Sequence, residues 1–140
     1  MFLYVIFVGS QMSDHKYIER GKTTTNIQLR YFEKPISIDN LMDEIISHDL
    51  KFPEIVTAQS ILECGWSFDS YNARIRNNLF GLKGSGEYLN FESWQQSVEY
   101  YATNIQNRYS GGDYYEFLNR IGYASDPEYT QKLKSICVKM

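Results

Sequence analysis

The sequence predicts a mainly α domain, α+β in class, with about five helices and one short β-hairpin lobe. Three observations predict it. Apolar residues recur at helical spacing in three stretches, beginning at Ile38, Pro53 and Trp94. N-cap and breaker residues, such as Ser93 with Gln96 and Ser110-Gly111-Gly112, punctuate those stretches where helices would start and stop. Strand-like patterning is confined to a single segment, Asn77 to Phe91.

Residues 1–34 read as an N-terminal segment apart from a domain at residues 35–140. Phe2 to Val8 form an apolar run followed by Gly9-Ser10, with no basic residue before it. The run is too short to span a bilayer, so stable membrane insertion is not expected. A short export signal cleaved after Ser10, an N-terminal strand and an overextended start all stay open. The signal reading would place the protein in the periplasm or cell envelope. Residues 11–34 are polar, carry Thr23-Thr24-Thr25, and read as a tether or arm.

The first helix follows Pro35, with Ser37 as N-cap and Ile38, Leu41, Met42, Ile45 and Ile46 on one face as far as about Asp49. His48, near its C-terminus, suits the helix dipole. Pro53 starts the second helix, because its missing N–H costs nothing at the first position, and the helix runs to about Cys64. In the β region, Leu79 to Leu82 and Tyr88 to Phe91 flank a turn of Lys83 to Glu87 with two glycines, a stubby hairpin. The Ser93–Gln96 capping box then opens a helix with Trp94, Val98, Tyr101 and Ile105 on one side. Asp113 with Glu116 caps the next helix, which ends near Gly122. Asp126 and Pro127 fit N-cap and first position of the last, with Leu133 and Ile136 on its buried side. Trp66, Trp94 and Tyr101 are expected in the core rather than in a cleft.

With 140 residues the chain holds one core, and its 43% hydrophobic and 22% charged content is ordinary for a globular protein. A net charge of −3 with no basic stripe argues against nucleic acid as a partner. The 12 Tyr and 8 Phe suit a carbohydrate cleft, and packing accounts for them equally well. Cys64 and Cys137 form no Cys/His cluster, so no metal and no cofactor is expected. Cys64 reads as a small buried thiol, or as half of a disulfide to Cys137 if the protein is exported.

Chemistry points to Glu63. At about 100° per residue it shares a helical stripe with Val56, Gln59 and Trp66, bordered by Ile55 and Leu62. A carboxylate beside an indole and aliphatic groups is desolvated, which raises its pKa. It can then stay protonated near neutral pH and act as a general acid in glycoside cleavage. The other reading is a surface Glu at a helix end before Gly65.

The run Gln59-Ser60-Ile61-Leu62-Glu63-Cys64-Gly65-Trp66 is followed by Asn77-Asn78-Leu79-Phe80-Gly81-Leu82-Lys83-Gly84, and later by Gly122-Tyr123-Ala124-Ser125-Asp126-Pro127-Glu128-Tyr129. In this order the segments resemble the bacterial N-acetylglucosaminidase family of cell-wall hydrolases, described as mannosyl-glycoprotein endo-β-N-acetylglucosaminidase-like. The family pattern reads approximately A-Q-A-x-L-E-S-G-W-G, N-N-L-F-G-I-K-G and Y-A-T-D-P-x-Y. The resemblance covers about Ile38 to Ile136.

It implies a lysozyme-like fold with a cleft between a helical body and a β-lobe. It implies cleavage of the β-1,4 bond on the reducing side of N-acetylglucosamine in peptidoglycan glycan strands, by a protein expected to be a monomer. The family's catalytic acid falls on Glu63, and the aromatic wall of its cleft on Tyr123, helped by Tyr129. Asn77, Asn78 and Phe80 fall in the substrate-binding turn and strand, where the two asparagines either hydrogen-bond an acetamido group or simply fix the turn before the strand. The chain departs from the pattern at Cys64, at Ser67-Phe68, and in a shortened lobe where the family's second acid belongs. Glu87, in the hairpin turn, is the expected second catalytic group and should lie across the cleft from Glu63; Asp69 and Glu92 are weaker choices. A muramidase or transglycosylase, and a non-catalytic glycan-binding module, are the competing readings.

Overall fold

The computed structural model describes the backbone of residues 3–6 and 16–19, and all of residues 34–140. The chain divides into two units, Met1–Pro35 and Ile36–Met140. In the first, β1 (Leu3–Ile6) pairs antiparallel with β2 (Lys16–Glu19), Leu3 opposite Glu19. The signal-cleavage position after Ser10 and the Thr23–Thr25 run lie outside the described residues.

The second unit begins with α1 (Ile38–Ser47), capped as expected: the Ser37 hydroxyl accepts from Asn40 N at 3.1 Å. Leu41 and Ile45 are fully buried, whereas Ile46 is 55% exposed, so the apolar face is narrower than the spacing predicts. Phe52 then adopts a left-handed conformation (φ +58°), which turns the chain so that Pro53 opens α2 (Pro53–Cys64). This helix lies against α1 and against the last helix, α6 (Tyr129–Cys137). Six consecutive residues, Val56 to Ile61, are buried. A helix packed on every side has no polar face for solvent. Small Thr57, Ala58 and Ser60 let neighbours close in, and Gln59 must find partners inside.

Gly65 (φ +82°) ends α2, and its N–H still donates to Ile61 O at 2.7 Å. The stripe through Glu63 therefore stops one turn before Trp66, which is 46% exposed, and not in the core as expected. A single-turn helix, α3 (Tyr71–Arg74), follows under a Ser70 cap; the sequence reading did not foresee it. The hairpin is smaller than expected and shifted. Its strands are β3 (Lys83–Gly84) and β4 (Glu87–Tyr88), and Leu79 to Leu82 form a buried turn instead of a strand.

The Ser93 cap opens α4 (Trp94–Asn104), which buries Trp94, Val98 and Tyr101, and one 3-10 turn (Gln106–Arg108) continues it. Asp113 caps α5 (Tyr114–Arg120), which buries Tyr114, Phe117 and Leu118. Asp126 does not cap α6 directly. Its Oδ1 accepts from Glu128 N at 2.9 Å and its carbonyl from Tyr129 N at 3.1 Å, so Asp126-Pro127-Glu128 form a turn that delivers Tyr129 to the first helical position. The five longer helices and the stub hairpin make the mainly α, α+β domain expected. Among the described residues no helix is long and apolar enough to cross a membrane.

Candidate active site

Glu63 occupies the last turn of α2, where the helix has brought it from the core to the edge of a cavity of about 710 Å³. The cavity lies between the Phe80–Lys83 turn with Tyr88 on one side and the Tyr123–Tyr129 segment on the other. The side chain is half-buried. Burial pushes its pKa above the ordinary carboxylate value, opposed by a hydrogen bond from Tyr129 and by the positive charge of Lys83. The desolvation expected for this carboxylate is present, but it comes from the Gly81 turn and Tyr129 rather than from an indole.

Gly81 sets how close that turn can come. Its φ is +61°, and a Cβ there would sit 2.7 Å from Glu63 Oε2. Glycine alone satisfies both the left-handed backbone and the contact. Cys64 ties the same turn to α2, its Sγ 3.4 Å from Leu79 O and 3.6 Å from Asn78 O. Burial pushes that thiol up to about 11, so it stays protonated and is no nucleophile. Cys137 lies at the far end of α2, its thiol 3.7 Å from Glu54 O. The two thiols therefore stand about 15 Å apart along the helix, at about 1.5 Å per residue, and both are free.

Asn78 is completely buried, which corrects its expected role in substrate binding. Its amide nitrogen donates to Leu82 O (2.8 Å) and Leu89 O (3.0 Å), and its oxygen accepts from Leu82 N (2.9 Å). It bolts the base of the hairpin. Asn77, left-handed at φ +51°, donates to Phe91 O at 3.0 Å. Neither asparagine is on the cavity wall; both hold the turn that is.

The expected aromatic residues all border the cavity with Glu63. Phe80 (1% exposed) and Tyr129 (5% exposed) are buried behind its wall, which corrects their expected role as sugar-contacting surfaces, and only Tyr123 is half-buried. Tyr123 donates to Phe80 O at 2.7 Å, which pins the Tyr123 loop to the Gly81 turn. Its ring centroid lies 5.7 Å from that of Tyr129, and the Tyr129 hydroxyl donates to Glu63 Oε1 at 3.4 Å. Burial, chiefly, holds both phenols well above the ordinary tyrosine value, so they remain neutral donors.

Glu87 is not brought to this wall. It stands exposed on β4, next to Tyr88, and successive strand residues face opposite ways, so with Tyr88 lining the cavity Glu87 faces outward. The other carboxylate on the wall is Asp126, whose Oδ2 is paired with Lys132 Nζ at 2.6 Å. Asp69 and Glu92 are exposed and off the wall. Sequence reasoning missed Lys83 and Tyr88, which sit 4.7 Å apart in a cation–π contact. Gly81 was visible only as a motif letter, because its contact with Glu63 depends on how the turn folds back.

Among the described residues no group of His, Cys, Asp and Glu could hold a metal ion. No curated protein and no solved structure matches the chain significantly. The family model described as mannosyl-glycoprotein endo-beta-N-acetylglucosaminidase matches residues 41–140, the stretch that carries Glu63, the Gly81 turn and the tyrosine wall, and the chain belongs to that family of peptidoglycan-related glycosidases.

Proposed function

We propose that the chain is a peptidoglycan hydrolase that cleaves the β-1,4 bond on the reducing side of N-acetylglucosamine, with Glu63 as general acid. The observation that carries this reading is a carboxylate with a raised pKa on the wall of an open cavity, its Oε2 packed against a glycine and its Oε1 hydrogen-bonded by a tyrosine. Glu63 gives its proton to the glycosidic oxygen as the bond to the anomeric carbon breaks. Tyr123, half-buried at the cavity, offers aromatic surface to the sugar opposite the Phe80 turn, and Tyr129 stands behind it with its hydroxyl on Glu63. With Glu87 off the wall and Asp126 held by Lys132 and a backbone N–H, the second role falls to the acetamido oxygen of the substrate, which attacks the anomeric carbon and is later released by water. Such a substrate places the working protein in the cell envelope.

Turbidity loss on purified peptidoglycan tests this directly. Glu63→Gln keeps the shape and removes the proton, so turnover should fall by at least about 100-fold. A loss below about tenfold means that Glu63 is not the acid. Among products, reducing-end N-acetylglucosamine supports the bond named here, and a reducing or anhydro-muramic end supports a muramidase or transglycosylase. The two-residue strands of the hairpin favour one further reading, a glycan-binding module that retains the cleft without turnover. Wild-type protein that binds peptidoglycan and releases no fragment would decide for it.

A further inference from the structure

Behind Glu63 runs a chain of buried hydrogen bonds that leads away from the cavity through the core. Tyr129 donates to Glu63 Oε1 (3.4 Å), and Gln59 Nε2 donates to the Tyr129 oxygen (3.3 Å). Tyr101 donates to Gln59 Oε1 (2.5 Å) and lies 2.8 Å from the Tyr114 hydroxyl. Gln106 Nε2 donates to Tyr114 (3.1 Å) and to Lys51 O (2.9 Å), while Lys51 N donates to Gln106 Oε1 (2.6 Å). The path touches α2, α4, α5, α6, the 3-10 turn and the loop before α2.

Its direction is set at the far end. A backbone N–H can only donate, so Lys51 N fixes Gln106 with Oε1 toward the backbone and Nε2 toward Tyr114. The Tyr114 oxygen accepts there, and its own proton goes on to Tyr101. Tyr101 has one proton, which goes to Gln59 Oε1. Gln59 must then present Nε2 to Tyr129, and Tyr129, accepting from Gln59, has its proton left for Glu63. From Gln106 to Glu63 each link donates toward the carboxyl, and only the second Gln106 N–H turns back, to Lys51 O.

We infer that Gln59, Tyr101, Tyr114 and Gln106 are positioning residues that commit the Tyr129 proton to Glu63 Oε1, leaving Oε2, beside Gly81 on the cavity wall, to carry the proton used in catalysis. The inference rests on the reading of Glu63 as the acid. Besides Tyr129, the groups facing Glu63 are Tyr123 from the loop before α6, Lys83 from the hairpin and Cys64 on its own helix. Asp126 and Lys132, paired with each other, and Arg108 complete the charges of the cavity. Lys83 lowers the pKa of Glu63 from the hairpin side, and the chain lowers it from the core side. The donated hydrogen bond favours the ionised form, so losing it keeps Glu63 protonated to higher pH.

The test is the pH dependence of turnover, with a second readout from the carbon-13 titration of the Glu63 carboxyl in labelled protein. Tyr129→Phe removes the donor and should move the upper limit of the activity profile up by about one pH unit. Tyr101→Phe never touches Glu63. It frees Gln59 to turn its oxygen toward Tyr129 and withdraw that proton, so the limit should move the same way by about half a unit. Tyr114→Phe keeps its stacking on Phe52 and Phe117 (centroids 5.0 and 5.2 Å) and should move it least. If Tyr101→Phe does not fold, Tyr114→Phe carries the test alone.

A chain that only supports the fold would lower the melting temperature and scale activity evenly at all pH, with the limit and the carboxyl titration in place. That result overturns the inference. If Glu63→Gln proves active, the acid assignment fails, and the carboxyl titrations of wild type and Tyr101→Phe still decide whether the chain acts on Glu63.

Discussion

A methyl group at position 81 would lie 2.7 Å from Glu63 Oε2, on a backbone with φ +61°. Gly81→Ala must therefore move either the turn or the carboxylate, and both line the cavity. Misplacing a catalytic group by about 1 Å can cost about 100-fold in rate, and alanine at a left-handed position costs about 1 kcal/mol or more in stability. The expected outcome is a fall in kcat well beyond any change in KM, with a modestly lower denaturant midpoint. Unchanged kcat in a folded Gly81→Ala protein would show that the close approach is incidental. At this scale the sequence was informative about Glu63, because a carboxylate on an apolar helical stripe is conspicuous. It was silent on what surrounds that carboxylate. The expected neighbour Trp66 lies past the helix end, while Gly81 and Tyr129 reach Glu63 only through long-range folding.

Most elements whose signals are local were legible, the single-turn α3 and the start of α6 excepted, and the hairpin, which depends on pairing, was not. Ser37, Ser93 and Asp113 cap helices as read, since an N-cap bond spans only three residues. The hairpin shifted because the apolar letters Leu79 to Leu82 are buried as a turn, held by Asn78 rather than by a strand ladder. Asn78 thus took a structural role that its motif alone did not separate from a sugar-binding one. Asn78→Ala deletes three hydrogen bonds and takes away the partner of Leu82 N and of Leu89 O, while Leu82 O still accepts from Leu89 N at 2.9 Å. At about 1–3 kcal/mol for each unsatisfied group, a loss of about 2–4 kcal/mol is expected in denaturant unfolding, together with loss of activity. A stable, active Asn78→Ala protein would return the residue to a surface role. The same hairpin bears on Glu87. Facing outward on β4, it should tolerate Glu87→Gln with less than about a twofold change in turnover, well short of the effect of a general acid or base. A tenfold loss would mean that the hairpin folds over the substrate and brings Glu87 in as the second catalytic group.

Taken as a whole, the domain places the Glu63 carboxyl where its charge is penalised and where the proposed chemistry needs it neutral. Helix α2 is buried along most of its length, so the fold must desolvate Glu63 to keep the helix end against the Gly81 turn. Because the folded-state pKa of Glu63 is raised above the value of 4.5 for a free glutamate, the native state holds a proton that the unfolded chain has already released. Between those two pKa values the unfolded state binds fewer protons, so stability falls as pH rises through the window, and below 4.5 the penalty is absent. Glu63→Gln removes the charge and keeps an oxygen for Tyr129. The variant and the wild type should therefore melt alike at pH 4, and the variant should melt higher at pH 7, while hydrolysing nothing. Thermal scans of both proteins across that range check the sign. A variant that melts lower than wild type at pH 7 would mean that Glu63 is ionised and well paired in the folded protein. A carboxylate in that state could not supply the proton on which the proposed cleavage depends.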